Sequence, residues 1–231
     1  MTICKQIAVF CVFATTIPAY GQLASYHIGN SLTWDTQPRA FDDFAAQRSE
    51  THNVGYHIRC SKSLPYIVAN PSETCVAPTE AGLWDSALSG RAWDVVTMQI
   101  HPSDGSNLGQ DIDAVLTFID TARSNPANAD TRFILYGAWP RTWENSADDW
   151  TRNLQPISLN TPTSHSRAYQ RALYGQVAKA RPDVDLAFLS IGELLHLADV
   201  QIREAVAGGG DWFGFTDVDQ LYRDSVHMGY T

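Results

Sequence analysis

Two segments far apart in the sequence carry residues that could activate a nucleophile. Ser31 follows the apolar run from Leu23 to Ile28, and Asp224 and His227 stand three residues apart in the last dozen residues. A serine hydroxyl attacks well only when an imidazole accepts its proton, and a carboxylate beside that imidazole fixes its tautomer. We therefore predict a catalytic triad in which Ser31 is the nucleophile, His227 is the base and Asp224 orients the base.

The two segments resemble the first and last blocks of the SGNH hydrolases, also called the GDSL family. The first block, normally Gly-Asp-Ser-Leu, reads Gly29-Asn30-Ser31-Leu32 here, and the last block, Asp-x-x-His, corresponds to Asp224 and His227. The resemblance covers nearly all of the chain after an N-terminal leader. It implies a three-layer α/β/α fold with a doubly wound, mostly parallel five-stranded sheet (flavodoxin-like), and hydrolysis of esters through an acyl-enzyme. It implies no metal and no organic cofactor.

The same resemblance directs attention to the donors of an oxyanion hole, which stabilise the charge that develops on a carbonyl oxygen. The family uses the serine N–H, the N–H of a Gly after the second strand, and an Asn side chain after the third. Here Ser31 supplies the first donor, the backbone of Ser61 is the nearest candidate for the second, and the Gln99 amide is the candidate for the third. His101 competes with Gln99, which could instead be a satisfied amide at a strand end.

Trp139 and Arg141 follow the predicted fourth strand and so fall on the edge of the sheet where ligands bind. The indole could stack on a sugar ring, and the guanidinium could bind a carboxylate or hydroxyl groups. Alternatively, Trp139 packs beneath a long loop and Arg141 is solvated. Five other histidines have no acid partner or metal-ligand spacing in the sequence, and we expect structural roles for them: His27, His52, His57, His165 and His196.

The first 21 residues have the composition of a secretory signal peptide. Lys5 precedes the apolar stretch from Ile7 to Ile17, and small residues stand near Gly21, after which we expect cleavage. Residues 22–231 then form one SGNH hydrolase-like domain. Only four residues follow His227, whereas the family continues into a helix, so we expect a chain that lacks this C-terminal helix.

Export also determines how the cysteines are interpreted. Cleavage would leave Cys60 and Cys75, which in an oxidising compartment are expected to form one disulfide. No Cys-x-x-Cys motif or zinc-like cluster is present in the sequence. We therefore expect a secreted or periplasmic protein without stable membrane insertion once its signal peptide is removed.

Charge and periodicity restrict the class of protein further. The formal net charge is −9, and no basic stripe is present to neutralise phosphates, which argues against nucleic acid as a partner. Apolar runs alternate with amphipathic helical patterns, which indicates a parallel sheet covered on both faces. The predicted strands are Leu23–Ile28, Asn53–Arg59, Asp94–Ile100, Arg132–Ala138 and Val184–Ser190.

Together these features predict a serine esterase of small esters or esterified carbohydrate, with O-acetyl groups on polysaccharide as the first expectation. The motif residues also allow simpler roles, because Asn30 and Ser31 suit a helix N-cap and Asp224 and His227 suit a solvated loop. A non-catalytic carbohydrate-binding relative with the same fold therefore remains the alternative hypothesis.

Overall fold

The computed structural model describes residues 22–139, 150, 156–224 and 226–228. The expected signal peptide over residues 1–21 and the substrate candidate Arg141 lie outside these residues. In the described part of the chain, no helix is both long enough and apolar enough to cross a membrane.

Five parallel strands form one sheet whose order is β2-β1-β3-β4-β5. The strands are β1 Leu23–Gly29, β2 His52–Ile58, β3 Val95–Ile100, β4 Arg132–Gly137 and β5 Leu186–Ser190. Each strand matches a predicted one to within two residues. Because every neighbouring pair is parallel, the carboxyl ends of all strands lie along one edge of the sheet.

Seven helices flank this sheet in the described residues. They are α1 Ser31–Asp35, α2 Ala40–Ala46, α3 Leu64–Ala69, α4 Trp84–Gly90, α5 Leu108–Arg123, α6 Arg167–Ala180 and α7 Ile191–Ala207. The parallel sheet and its flanking helices confirm the predicted doubly wound α/β architecture.

The two faces of the sheet bury different side chains. On one face, Tyr26 and Ile28 of β1 pack with residues of α3, α4, α5 and α6 in the larger hydrophobic cluster. On the other face, a smaller cluster joins Leu32, Tyr136, Trp139 and α7 residues such as Leu195, and we call it the second-face cluster. This alternation follows from the two-residue period of a strand. The second-face cluster is the one that contacts both candidate catalytic segments.

The predicted disulfide between Cys60 and Cys75 is present, with a Cα–Cα distance of 5.7 Å. It closes a loop that begins just after β2 and contains α3. The bridge therefore constrains the segment that carries the candidate oxyanion donor Ser61.

Candidate active site

Ser31 lies where the first strand ends and a short helix begins. β1 ends at Gly29, the side chain of Asn30 caps α1 by accepting a hydrogen bond from Leu32 N at 3.0 Å, and Ser31 is the first helical residue. Strand β1 is bordered by β2 on one side and β3 on the other, so the chain reverses its winding direction here. Such a switch point is where open α/β sheets bind their ligands.

Gln99 of β3 holds the turn that carries Ser31 through hydrogen bonds. The Oε1 atom of Gln99 accepts hydrogen bonds from Asn30 N at 3.2 Å, Thr33 N at 3.1 Å and Thr33 Oγ1 at 2.7 Å. Only glycine fits at position 29, because a Cβ there would lie 2.1 Å from Thr33 Oγ1 and 2.8 Å from Gln99 Cβ. The close packing of Gly29 against Gln99 therefore determines the position of the turn that carries Ser31.

These contacts bear on the expected oxyanion role of Gln99, which stays a prediction. Its amide oxygen is committed to the α1 turn, its Nε2 donates to Ile100 O at 3.3 Å, and the residue is only 1% exposed. These bonds favour the alternative role of Gln99, a satisfied amide at a strand end. The competing candidate His101 packs its ring against that of His165, with centroids 5.4 Å apart.

Asp224 and His227 form the acid–base pair that their spacing predicts. His227 Nδ1 lies 2.9 Å from Asp224 Oδ2, and Asp224 Oδ1 accepts hydrogen bonds from the backbone N–H groups of Val226 and His227, each at 2.8 Å. These backbone N–H groups, followed by the His227 ring, lower the pKa of Asp224 to about 2. The carboxylate is therefore ionised at neutral pH and favours a proton on Nδ1, which leaves Nε2 available as a base.

Two contacts hold the Asp224–His227 loop against the rest of the site. Arg223 Nη2 donates to Asp35 Oδ1 at 2.8 Å, so the loop is tied to the last residue of the helix that begins with Ser31. Trp139 Nε1 donates to Val226 O at 2.7 Å from beneath the loop.

Within the described residues no hydrogen bond joins Ser31 Oγ to His227. Catalytic hydrogen bonds are often long before substrate binds, so this geometry is compatible with a resting site.

The segment after β2 carries Ser61, the candidate for the second backbone donor. Ser61 has a φ of +56°, a left-handed conformation that glycine adopts more readily than other residues do. The segment is linked to the nucleophile turn because Asn30 Nδ2 donates to Lys62 O at 3.2 Å. A carboxylate at position 30 could not donate that bond. In the described part of the chain, neither Ser31 N nor Ser61 N has an acceptor.

Asp104, which sequence reasoning missed, orders the same segment from the loop after β3. Its carboxylate accepts hydrogen bonds from Ser63 N at 2.9 Å and Ser63 Oγ at 3.0 Å, and Lys62 Nζ lies 3.0 Å away. Burial acts to raise the pKa of Asp104, but the hydrogen bonds from Ser63 and Lys62 outweigh it and lower the pKa below its ordinary value. No spacing in the sequence relates Asp104 to Ser63, so only the fold could reveal this contact.

Trp139 is not an open stacking surface. It is 4% exposed, it belongs to the second-face cluster, and its ring nitrogen is used by Val226 O. This burial disfavours the expected role of Trp139 as a sugar platform. The buried indole supports the Asp224–His227 loop instead.

A second serine, histidine and aspartate also lie together, on the α2 side of the sheet. Ser25 Oγ is 2.8 Å from His52 Nε2, and Asp42 Oδ1 is 2.8 Å from His52 Nδ1. Ser25 is 5% exposed and its hydroxyl also contacts His27 Nε2 at 2.9 Å. A cavity of about 340 Å³ opens beside Asp42 and His52, but Ser25 does not line it. A substrate carbonyl cannot reach a hydroxyl enclosed in this way, so this group is structural.

The acid partner of His52 is a feature that the sequence did not disclose, since Asp42 and His52 lie on different elements. The described residues contain no group of three or more His, Cys, Asp or Glu side chains placed to hold a metal ion.

The described structure is thus an α/β/α fold with Ser31 at the switch point of the sheet. The His227–Asp224 pair lies on a loop that is bonded through Arg223 to the helix of Ser31.

No protein-family model and no curated protein matches the chain. Among solved structures, a DUF4886 family protein from Bacteroides uniformis ATCC 8492 matches with a TM-score of 0.50 and 15% identity, over 90% of this chain and 77% of that chain. At this identity the likeness concerns the fold alone.

Two other structures match less well. A carbohydrate esterase family 3 protein from Talaromyces cellulolyticus gives a TM-score of 0.47 and 14% identity, covering 90% of this chain and 89% of its own. A protein described as GDSL-like lipase from Parabacteroides merdae ATCC 43184 gives 0.45 and 11%, covering 88% and 96%.

Proposed function

We propose that this protein is an exported serine esterase of the SGNH type, in which Ser31, His227 and Asp224 form the catalytic triad. The observation that carries the proposal is the oriented His227–Asp224 pair on a loop bonded through Arg223 to α1, the helix that begins with Ser31. This arrangement supplies an imidazole with a fixed tautomer beside the helix of an accessible serine, as acyl transfer requires.

The reaction follows from the roles of these groups. Ser31 Oγ attacks the ester carbonyl while its proton passes to His227 Nε2, and Asp224 stabilises the imidazolium. The N–H groups of Ser31 and Ser61 donate to the oxygen of the tetrahedral intermediate. His227 returns the proton to the departing alcohol, which leaves an acyl-enzyme. Water then attacks the acyl group by the same steps and releases the acid and Ser31.

The substrate class is a carboxylic ester, with O-acetyl groups on carbohydrate as the first choice. The Cys60–Cys75 bridge fits a secreted or periplasmic location, where disulfides persist and polysaccharide is present. Arg141 stays a candidate contact for hydroxyl or carboxylate groups of the substrate.

Labelling with a fluorophosphonate tests the nucleophile directly, because only an activated serine reacts readily. We expect the wild-type protein to be labelled and Ser31→Ala to lose labelling and ester hydrolysis by at least about a thousandfold. Ser25→Ala is the matched control, since Ser25 also contacts a histidine paired with an aspartate. Provided that thermal unfolding shows a folded protein, the Ser25→Ala variant should be labelled as the wild type is.

Labelling that survives Ser31→Ala, or that is lost in a folded Ser25→Ala variant, would contradict the proposal. His227→Ala and Asp224→Ala should each slow labelling as well, because the hydroxyl would lose its base or the orientation of that base.

A carbohydrate-binding protein without catalytic activity is the second candidate. It is favoured by one observation, that Ser31 Oγ is not hydrogen-bonded to His227 in the described structure. It predicts glycan binding in a protein that a fluorophosphonate does not label, so the same experiment separates the two candidates.

A further inference from the structure

A cavity of about 340 Å³ lies at the edge of the sheet opposite to the candidate active site, and we call it the amino-edge cavity. Its walls include His52, the first residue of β2, and Trp93, which precedes β3. In the parallel sheet His52 pairs with Leu23, the first residue of β1, whereas Ser31 follows the last residue of that strand. Seven residues at about 3.3 Å each separate the two places by about 20 Å. A ligand in this cavity therefore contacts no reacting atom at Ser31.

Two arginines that have no carboxylate partner line the amino-edge cavity. Most arginines in the described residues form an ion pair with Asp or Glu. Arg39 and Arg91 form none within that part of the chain, although Arg91 Nη2 donates to the backbone oxygen of Glu80. Carboxylates are in excess in a chain whose net charge is −9, so two arginines without a partner at one cavity indicate an external anion. The planar donor fork of arginine suits a carboxylate in particular.

The buried wall of the amino-edge cavity is held by a chain of polar contacts. The side chain of His52 is 3% exposed, and its two ring nitrogens each lie 2.8 Å from a partner, Asp42 Oδ1 on one side and Ser25 Oγ on the other. Ser25 Oγ also lies 2.9 Å from His27 Nε2, and His27 Nδ1 lies 2.9 Å from Thr97 Oγ1. These contacts fix Asp42 in the wall before any ligand is present, as is usual for small-molecule sites.

The remaining polar side chains of the cavity restrict the ligand further. Asp42, Glu80, Asn53 and Thr79 all line it, and carboxylate, amide and hydroxyl groups are suitable partners for the hydroxyl groups of a ligand. A plain anion such as phosphate would meet the two carboxylates as well as the arginines and would be repelled by them. A molecule with one carboxylate and several hydroxyl groups can satisfy both kinds of side chain. The volume lies near the lower end of the range of about 300–1,000 Å³ for ligand pockets, which suits a single sugar unit.

We propose that the amino-edge cavity binds a sugar acid, a uronate in its free form or as a unit of an acidic oligosaccharide. Arg39 and Arg91 bind the carboxylate, and Asp42 and Glu80 accept hydrogen bonds from the hydroxyl groups. The site performs no chemistry and does not require the esterase function proposed above.

The first test measures binding by calorimetry. The wild type is titrated with D-galacturonate and D-glucuronate and with the dimer of galacturonate, and at least one of these should bind. Arg39→Gln and Arg91→Gln should each weaken that binding about tenfold, because each removes a charge-assisted hydrogen bond. Arg48→Gln is the matched control, since Arg48 also lacks an ion pair in the described structure but lies over the Phe44 ring and does not line the cavity. Absence of uronate binding, or equal binding in all three variants, would overturn the proposal.

Thermal unfolding separates loss of the site from loss of the fold. A uronate that binds the folded state should raise the unfolding temperature of the wild type and of Arg48→Gln, and should raise it less in the two cavity variants. Without the ligand all four proteins should unfold at similar temperatures, because both cavity arginines are exposed. Arg39→Lys keeps the charge and should restore part of the affinity lost in Arg39→Gln. A ligand-induced shift of equal size in all four proteins would contradict the proposed site.

The identity of the ligand is tested with molecules that lack one of its two features. D-galactose lacks the carboxylate and inorganic phosphate lacks the hydroxyl-bearing ring, so each should bind at least about tenfold more weakly than the uronate. Glu80→Gln should reduce the preference for the uronate over phosphate, because it removes both an acceptor for hydroxyl groups and a charge that repels phosphate. Phosphate that binds as tightly as the uronate would show a general anion site and overturn the assignment. Hydrolysis of p-nitrophenyl acetate and labelling of Ser31 should be equal in all these variants, and parallel losses of hydrolysis and uronate binding would contradict a separate site.

Discussion

At the scale of single residues, two amide side chains, those of Asn30 and Gln99, hold the backbone segments that form the candidate site. Asn30 both caps α1 and donates to Lys62 O, so it connects the nucleophile turn to the segment that carries Ser61. Gln99 accepts three hydrogen bonds beneath the same turn. Their amides therefore hold the turn of Ser31 and connect it to the segment of Ser61, although neither amide is proposed to contact a reacting atom.

Replacing Gln99 distinguishes this positioning role from an oxyanion role. Gln99→Ala leaves the buried donors Asn30 N, Thr33 N and Thr33 Oγ1 unpaired, which should lower the free energy of unfolding by about 2–4 kcal/mol. Urea denaturation measures the loss, and Gln201→Ala on the exposed surface of α7 is the control. A variant that keeps its stability but loses only kcat would restore the oxyanion interpretation.

At the scale of elements, the loops after β1, β2 and β3 act as one unit. The loop after β2 is held on one side by Asn30 and on the other by Asp104, and the Cys60–Cys75 bridge closes its base. Ser61 stands next to Cys60 and keeps its left-handed φ within these restraints. The stability of this loop and the position of the candidate donor are therefore coupled.

Removal of the disulfide should reveal that coupling. The double variant Cys60→Ser and Cys75→Ser should be less stable by about 3 kcal/mol, because the bridge restricts a loop with a sequence separation of 15 residues in the unfolded chain. We also expect kcat on an ester to fall at temperatures where the variant remains folded. Reduction of the wild type should reproduce both effects in circular dichroism and rate measurements. Equal stability with and without the bridge would show that Asp104 and Asn30 alone are enough to hold the loop after β2.

At the scale of the whole molecule, stability should depend on pH through buried imidazoles. Burial, with a smaller effect of His52, lowers the pKa of His27 to about 4. In the unfolded chain the same group binds a proton near pH 6.5. Between these values the unfolded state holds a proton that the folded state excludes, so the free energy of unfolding decreases as the pH falls from about 6.5 to about 4.

The variant His27→Gln tests this linkage. It should remove up to about 3 kcal/mol of the decrease over that pH range, since one pKa unit corresponds to about 1.4 kcal/mol. A weaker dependence of the free energy of unfolding on pH should remain, because burial also lowers the pKa of His57. The lowered pKa of Asp224 acts in a separate range, where stability is lost as the pH falls from about 3.8 to about 2. Urea denaturation series at several pH values measure both ranges, and an unchanged slope in His27→Gln would refute the assignment.

The sequence predicts the architecture well because the strands are short apolar runs with clear ends. It also identifies Asp224 and His227 as a pair, since three residues allow one loop to bring both side chains together. It cannot identify contacts between loops that meet only in three dimensions. The roles of Gln99, Asp104 and Trp139 depend on such contacts, and residue type alone was compatible with more than one role for each.

The ion pair between Asp35 and Arg223 joins residues that lie 188 positions apart. During synthesis the first of these residues emerges long before the second, and four of the five strands, β2 to β5, lie between them in the chain. A segment that contains Ser31 can therefore fold onto β1 while no base is yet available to it. If the triad is as proposed, hydrolytic activity arises only at a late stage of folding, after the Asp224–His227 loop has reached the helix that begins with Ser31.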